Sequence, residues 1–271
     1  LVIGEAEDTW ELLLRDFQHR QMQPIYRTTR RHSLAGLPIP RRDLLKRNAY
    51  LTTNTIQTTR GCPFQCDFCS VTDFFGKTYR CRPIPEVIRE IETLNLNRPV
   101  VFVDDNLIGR PHYAQELFEA ITPYKVRWGS QCSINLADHS KLMQTAKASG
   151  CVAMFIGIES ISQQNIDEVH KNVNHVDHYY EAIQRIHDHG IAINAGIILG
   201  MDHDDESVFE RTLEFLEKAK IEYATFHILT PYPGTPLFHR LEREGRILTR
   251  DWSRYDTSHA VFAPRLVNSK E

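Results

Sequence analysis

Three cysteines fall within eight residues, Cys62, Cys66 and Cys69, at the spacing C-x3-C-x2-C, directly after the extended run Thr55 to Arg60. Gly61 permits a tight turn in front of them, and Pro63 stiffens it. Thiolates at this spacing can converge on one metal centre, and iron–sulfur clusters are the soft-ligand case. A [4Fe–4S] cluster ordinarily takes four cysteines. This loop offers three, which leaves one iron open to a small-molecule ligand. Two plainer readings compete with it. A zinc site could recruit Cys81 or a histidine as fourth ligand, and Cys66 with Cys69 could form a redox C-x-x-C pair. Neither explains the pattern of the chain downstream of the loop.

The 271 residues are enough for one large α/β domain, and 41% hydrophobic with 25% charged residues is the make-up of a globular chain. A net charge of −3 gives no reason to expect a nucleic-acid partner. The longest apolar runs, such as Cys151 to Ile158, are too short to span a bilayer. Six cysteines, three of them in one loop, point to a metal site in a reducing compartment, and a cytoplasmic location is expected. The acidic start, Leu1 to Asp8, has no signal-peptide pattern. Because the first residue is Leu, the chain is expected to be a piece of a longer one.

Residues 1 to 50 are expected to be a remnant and linker. Leu1 to Asp8 suggests a strand end and turn, and Thr9 could cap a helix over Trp10 to Arg20, with Leu12, Leu13 and Phe17 facing inward. The segment 21–50 holds Pro24, Gly36, Pro38 and Pro40, which suits an irregular linker. Its basic residues Arg27, Arg30, Arg31, Arg41 and Arg42 could touch phosphate, although a solvated linker is the plainer reading. From 51 to 245 strand-like and helix-like runs alternate. The strands are Thr55–Arg60, Val100–Val103, Val126–Gln131, Val152–Ile158, Ile191–Leu199 and Tyr223–Leu229, each followed by a helix pattern. Six such units imply a parallel sheet with right-handed crossovers. The span is short of an eight-unit barrel, so the fold expected is a partial (βα)6 TIM-like barrel. Residues 246 to 271 form a C-terminal extension.

In parallel barrels chemistry gathers at the carboxyl ends of the strands. The cysteine loop lies at the first of these ends. The others are Asp104-Asp105-Asn106, Gln131-Cys132-Ser133, Gly157-Ile158-Glu159-Ser160, Asn194-Ala195-Gly196-Ile197-Ile198-Leu199-Gly200, and Pro231-Tyr232-Pro233-Gly234-Thr235-Pro236. Asp104 could equally be a helix cap or turn residue, and Cys132 a buried core thiol. Glu159 and Ser160 would be costly if buried without partners.

Together these stretches resemble the radical S-adenosylmethionine (SAM) enzymes. The resemblance rests on the cysteine spacing with an aromatic residue before the last cysteine, here Phe68, on G-x-E-S at Gly157 to Ser160, and on P-x-P-G-T-x-L from Pro231. It implies a [4Fe–4S] cluster on Cys62, Cys66 and Cys69 whose open iron chelates SAM. One electron from the cluster then cleaves SAM to methionine and a 5′-deoxyadenosyl radical. By the same resemblance, SAM contacts fall to Phe68, Asp104, Ser133, Glu159, Ser160, Gly196, Gly200 and Tyr232. Lys171 lies where relatives place a basic residue near the SAM carboxylate, or on the surface. The family's usual glycine pair is missing beside Asp104.

The stretches Ser70 to Arg80, Phe102 to Asn106 and Asp251 to Asp256 resemble the cobalamin-binding members, in which a B12 domain precedes the barrel. Val2 to Glu7 resembles the end of such a domain, but the cobalamin motif D-x-H-x-x-G is absent. The resemblance thus implies the core of a cobalamin-dependent enzyme such as a C-methyltransferase. A stand-alone enzyme catalysing a rearrangement or ring formation is the alternative. A small-molecule substrate and a reductant such as flavodoxin or ferredoxin are the expected partners.

Replacing each cysteine singly with Ala and counting iron after anaerobic reconstitution tests the ligand set. Cys62→Ala, Cys66→Ala and Cys69→Ala are expected to lose most of the iron, and Cys81→Ala to keep it. A loss in Cys81→Ala equal to that in Cys66→Ala contradicts the assignment.

Overall fold

A computed structural model of the chain describes residues 1–46 and 49–267. Six parallel strands form one sheet in strict chain order: β1 (Thr55–Ile56), β2 (Val100–Phe102), β3 (Trp128–Cys132), β4 (Cys151–Glu159), β5 (Ala192–Leu199) and β6 (Tyr223–Ile228). Each is followed by a covering helix: α1 (Ile84–Ile91), α2 (Pro111–Ile121), α3 (Ser140–Ala148), α4 (Tyr179–Asp188), α5 (Val208–Lys218) and α6 (Pro236–Arg243). This is the partial (βα)6 barrel expected. Pro111 and Pro236 sit at helix starts, where the missing N–H costs nothing.

One side of the sheet carries the core. Phe102, Trp128, Met154, Ile156, Ile193, Ala195 and Ile197 are buried there against the helices. Strand alternation sends their neighbours to the other, concave side. Val101 and Val103 are 37% and 47% exposed on that side. The parallel registers line up Val101 with Gly129, Gln131 with Phe155, Phe155 with Asn194, and Ile198 with His227. The concave face is therefore apolar near β2 and polar towards β6, where Thr225 Oγ1 donates to Asn194 Oδ1 at 3.0 Å.

The first strand departs from expectation. Only Thr55 and Ile56 join the sheet, and Thr59–Arg60 turn away to pair antiparallel with Arg80–Cys81. A short helix, Ser70–Phe75, separates the two arms of this ribbon. Periodicity does not disclose it, because six residues between a cysteine loop and a glycine carry too little of it.

The N-terminal segment is more firmly attached than a solvated linker. Arg42 donates to the carbonyls of Thr53 and Thr55 and to buried Glu90, which also pairs with Arg82. Arg31 donates to the Phe74 carbonyl at 2.7 Å, while Arg41 stays exposed and pairs with Asp43. The first helix runs Glu7–Gln18: Leu12 and Leu13 are half-buried as expected, but Phe17 is exposed, with Trp10 and Leu14, and Thr9 is buried. Buried Glu5 fixes this segment to the ribbon, pairing with Arg60 at 3.0 Å and Arg80 at 2.6 Å. The C-terminal extension folds back too. Ile247 bridges Phe262, and Arg246 pairs with Asp202 in the loop after β5.

Burial pushes the Glu5 carboxyl up, but hydrogen bonds and charge from Arg80 and Arg60 outweigh it and hold the carboxyl below its usual value. Its contribution to stability is therefore complete above the ordinary carboxylate range and fades as pH falls through the lowered value. Glu5→Gln is expected to cost about 1.5–3 kcal/mol at neutral pH and less in acid. Urea titrations at both pH values check this, and an equal cost at both contradicts it.

Candidate cofactor site

The cysteine loop is held on one side from the end of β2 and on the other from segments that follow β4 and β6. Asp104, fully buried at the tip of β2, takes four hydrogen bonds on one oxygen. They come from the amides and hydroxyls of Thr58 and Thr59. Asp105 accepts from the Gly61 amide at 2.9 Å. Gly61 itself has φ +90°, and a Cβ there would meet the Thr78 carbonyl oxygen at 2.0 Å, so only glycine fits. On the far side Asp67 N–H donates to Val169 O, and Leu237 N–H, at the start of α6, donates to Asp67 O, each at 3.0 Å. Phe68 packs with Val169, Met201, Leu229 and Leu237.

The three thiols are free and half-buried. Burial pushes the Cys66 thiol up to about 12, opposed mainly by the charge of Lys171, and burial also raises Cys69. Such thiols ionise when a metal supplies the compensating charge. Among the described residues no three His, Cys, Asp or Glu side chains come together as a ready site for a single metal ion. A polynuclear cluster places each thiolate on a different iron and does not need that convergence. The donor set, three soft thiols from one anchored loop, fits a cluster. Cys81 lies in the antiparallel ribbon opposite Thr59, and Cys132 and Cys151 are buried core thiols.

Glu159 and Lys171 face this loop. Glu159 ends β4 at φ +64°, beside a register shift between Gly157 and Glu159. Asn174 Nδ2 secures that irregularity by donating to the carbonyls of Gly157 and Ile158 at 3.0 Å. The Lys171 ammonium pairs with Glu159 Oε1, both groups being mostly buried. Burial works against the ammonium, but Glu159, Cys66 and Cys69 outweigh it and raise its proton affinity above the usual value. Lys171 is thus buried beside the cysteine loop and is not a surface residue.

The other expected residues separate into two groups. Ser133 lies near Cys62 through Asn106, whose Nδ2 is 3.1 Å from Ser133 Oγ. Gly196 is pressed against the Phe155 ring, and Gly200 turns the chain at φ +89°. Tyr232 and Phe68 share a cleft of about 160 Å³ with Ile198, His227 and Thr257. Two residues are largely engaged within the protein. Asp104 anchors Thr58 and Thr59, and burial lifts its carboxyl to about 6. Ser160 Oγ accepts from Ser162 N–H and Asn165 Nδ2, tying the β4 tip to Asp204 in the next loop. Both give the loops structural support, and Asp104 Oδ2 stays buried without a hydrogen-bond partner among the described residues. Sequence reasoning misses Asp105 and Asn106 as functional. Their adjacency to Asp104 is the available signal, since consecutive positions at a strand end address consecutive positions of the neighbouring loop.

A parallel half-open barrel with a three-thiol loop at the carboxyl end of its first strand defines a class of iron–sulfur α/β proteins. The profile of the Radical SAM superfamily matches residues 56–216, and the chain belongs to that superfamily. Among curated relatives, it is 32% identical over 280 aligned residues to the bacteriochlorophyllide d C-12(1)-methyltransferase of Chlorobaculum tepidum, covering 100% of this chain and 61% of the relative. It is 30% identical to the hopanoid C-2 methylase of Rhodopseudomonas palustris, over 93% of this chain and 50% of the relative. The chain thus spans between half and two thirds of these proteins. The solved cobalamin-dependent SAM radical enzyme OxsB, with aqua-cobalamin and SAM bound, superposes with a TM-score of 0.72 at 15% identity, covering 98% of this chain and 48% of that one. Among the described residues no helix is long and apolar enough to cross a membrane.

A Cβ on Gly157 would lie 2.2 Å from Glu159 Oε1 and 2.6 Å from Lys171 Nζ. Gly157→Ala is expected to push the pair apart at a cost of about 1–3 kcal/mol. Lys171 should then become reactive to an amine-acylating reagent, read by mass spectrometry. A Lys171 that stays protected contradicts the steric account.

Proposed function

We propose that this chain is the radical SAM core of a cobalamin-dependent enzyme that methylates carbon. The observation that carries the core chemistry is the meeting of the cysteine loop with the Glu159–Lys171 pair at the carboxyl end of one sheet. Cys62, Cys66 and Cys69 would hold a [4Fe–4S] cluster. Bound there with SAM, the cluster supplies the electron that breaks SAM into methionine and a 5′-deoxyadenosyl radical. Lys171 would balance the thiolates and receive the SAM carboxylate, Glu159 would accept from the SAM amino group, and the flat run Gly196 to Gly200 would let the adenine lie against β5. The concave face, apolar at Val101 and Val103 and polar at Asn194, Thr225 and His227, would take the substrate.

The methyl-transfer step is supported by the methyltransferase and methylase relatives. Cobalamin is supported by the fold shared with OxsB and would come from a part of the protein outside this chain. The substrate is a small molecule, and an external reductant of the flavodoxin or ferredoxin kind would deliver the electron in a cytoplasmic setting.

The test is anaerobic reconstitution with iron and sulfide, then dithionite and SAM. The chain is expected to yield 5′-deoxyadenosine, to bind cobalamin weakly or not at all, and not to turn over a methylation substrate. With a full cluster, Glu159→Ala should bind SAM about tenfold to a hundredfold more weakly, from the loss of one charge-assisted hydrogen bond. A full cluster with no 5′-deoxyadenosine from the native chain overturns the proposal.

A further inference from the structure

We infer that Asn106 sets the electron affinity of the cluster by donating an N–H···S hydrogen bond to Cys62, an inference that rests on the cluster assignment above. Asn106 Nδ2 lies 3.8 Å from Cys62 Sγ, within hydrogen-bond range for sulfur. The same nitrogen is 3.1 Å from Ser133 Oγ. Ser133 gives its own hydrogen to Asn135 Oδ1 at 2.6 Å, so its oxygen only accepts from Asn106. That order turns the NH2 group of Asn106, and not its carbonyl, towards Ser133 and Cys62. One N–H serves each partner, and the buried Oδ1 has none among the described residues.

The backbone fixes this placement. The Asn106 carbonyl accepts from Tyr79 Oη at 2.8 Å and from the Gly109 amide at 3.0 Å. The next residue, Leu107, donates its amide to Gln131 O at 3.0 Å. Asn106 is only 2% exposed, so little water competes for its donors, and hydrogen bonds are electrostatically stronger in such surroundings. A donor aimed at a ligand sulfur favours the state with more negative charge on the thiolates, which is the reduced cluster. One electron enters from the external reductant, and Asn106 neither forms nor breaks a covalent bond. It is a positioning residue acting through Cys62.

The experiment is a potentiometric titration of the reconstituted protein, following the reduced cluster by electron paramagnetic resonance and counting iron in every sample. Asn106→Leu keeps the volume and removes the donor, and Asn106→Asp keeps the shape and removes it. With full iron, Asn106→Leu is expected to show an about tenfold lower ratio of reduced to oxidised cluster at a fixed potential, a shift of ~59 mV downward for a one-electron couple, and Asn106→Asp, which adds a negative charge, at least as much. A native midpoint in a fully loaded Asn106→Leu variant overturns the inference. If that variant takes up no iron, native protein labelled with 15N in its asparagine side chains decides. Hyperfine coupling of that nitrogen to the reduced cluster supports the hydrogen bond, and its absence overturns it. Native protein that takes up no iron overturns the cluster assignment and this inference with it, and the iron count tells that failure from the others.

Discussion

The site depends on a buried carboxylate just beyond the second strand. After Ile56 the first strand leaves the sheet, and the chain must still arrive at Cys62 in a fixed place. Asp104 supplies the constraint, taking the amides and hydroxyls of Thr58 and Thr59 on one buried oxygen. Burying a carboxylate is expensive unless its hydrogen bonds are satisfied, and here four donors converge on it. All four fall on Oδ1, and Oδ2 has no partner among the described residues, so the loss of a donor adds to a cost that burial already imposes. Asp105 and Asn106 extend the same grip to Gly61 and Cys62. Three adjacent residues of one strand end thus address the approach to the cysteines and the first of them.

The opposite side of the loop is secured at Asp67 and Phe68, by backbone hydrogen bonds, by the Asp67 carboxylate facing the His170 ring at 2.9 Å, and by Phe68 packing. Asp67 lies between Cys66 and Cys69, with its amide bound to Val169 and its carbonyl to Leu237. Val169 follows the fourth strand and Leu237 the sixth, so one residue of the loop ties together units far apart in sequence. The loop is therefore not formed by local preference. Its shape requires the barrel to be folded, which is the order expected when a cofactor loop rides on a rigid scaffold. Asp202 plays a comparable part for the C-terminal extension, gathering Arg240, Arg246 and Arg265 behind the fifth strand.

How much of this the sequence discloses depends on the kind of signal each feature leaves. Buried parallel strands such as β4 and β5 are long apolar runs with helices between them, and they are legible as such. β1 is not, because the split after Ile56 is dictated by Asp104, distant in sequence, and leaves no mark on Thr55 to Arg60. In the Glu7–Gln18 helix the apolar stripe places Leu12 and Leu13 correctly but not Phe17, which is exposed. Arg42 reads as one of several linker cations until Glu90 is seen beneath it. At the site, motif spacing locates the cysteines and Glu159. It does not disclose that Asp104 and Ser160 also hold the loops, because their partners are distant in sequence or are backbone amides.

The strand-four irregularity shows why the two kinds of residue are interleaved. A regular strand places alternate side chains on one face, so Gly157 and Glu159 would both point to the concave side. The register shift and the positive φ of Glu159 break that regularity. The Glu159 carboxylate then folds back over Gly157, in space that only a residue without a Cβ leaves open. Lys171 reaches the same spot from beyond the next short helix, and Asn174 fastens the two carbonyls the irregularity exposes. Left-handed backbone at a non-glycine residue is unfavourable, and it persists where surrounding contacts over-determine it. Here those contacts are an ion pair and an asparagine clamp. The strain is thus the means by which a carboxylate and an ammonium come to face three thiols from inside a sheet that would otherwise hold them apart.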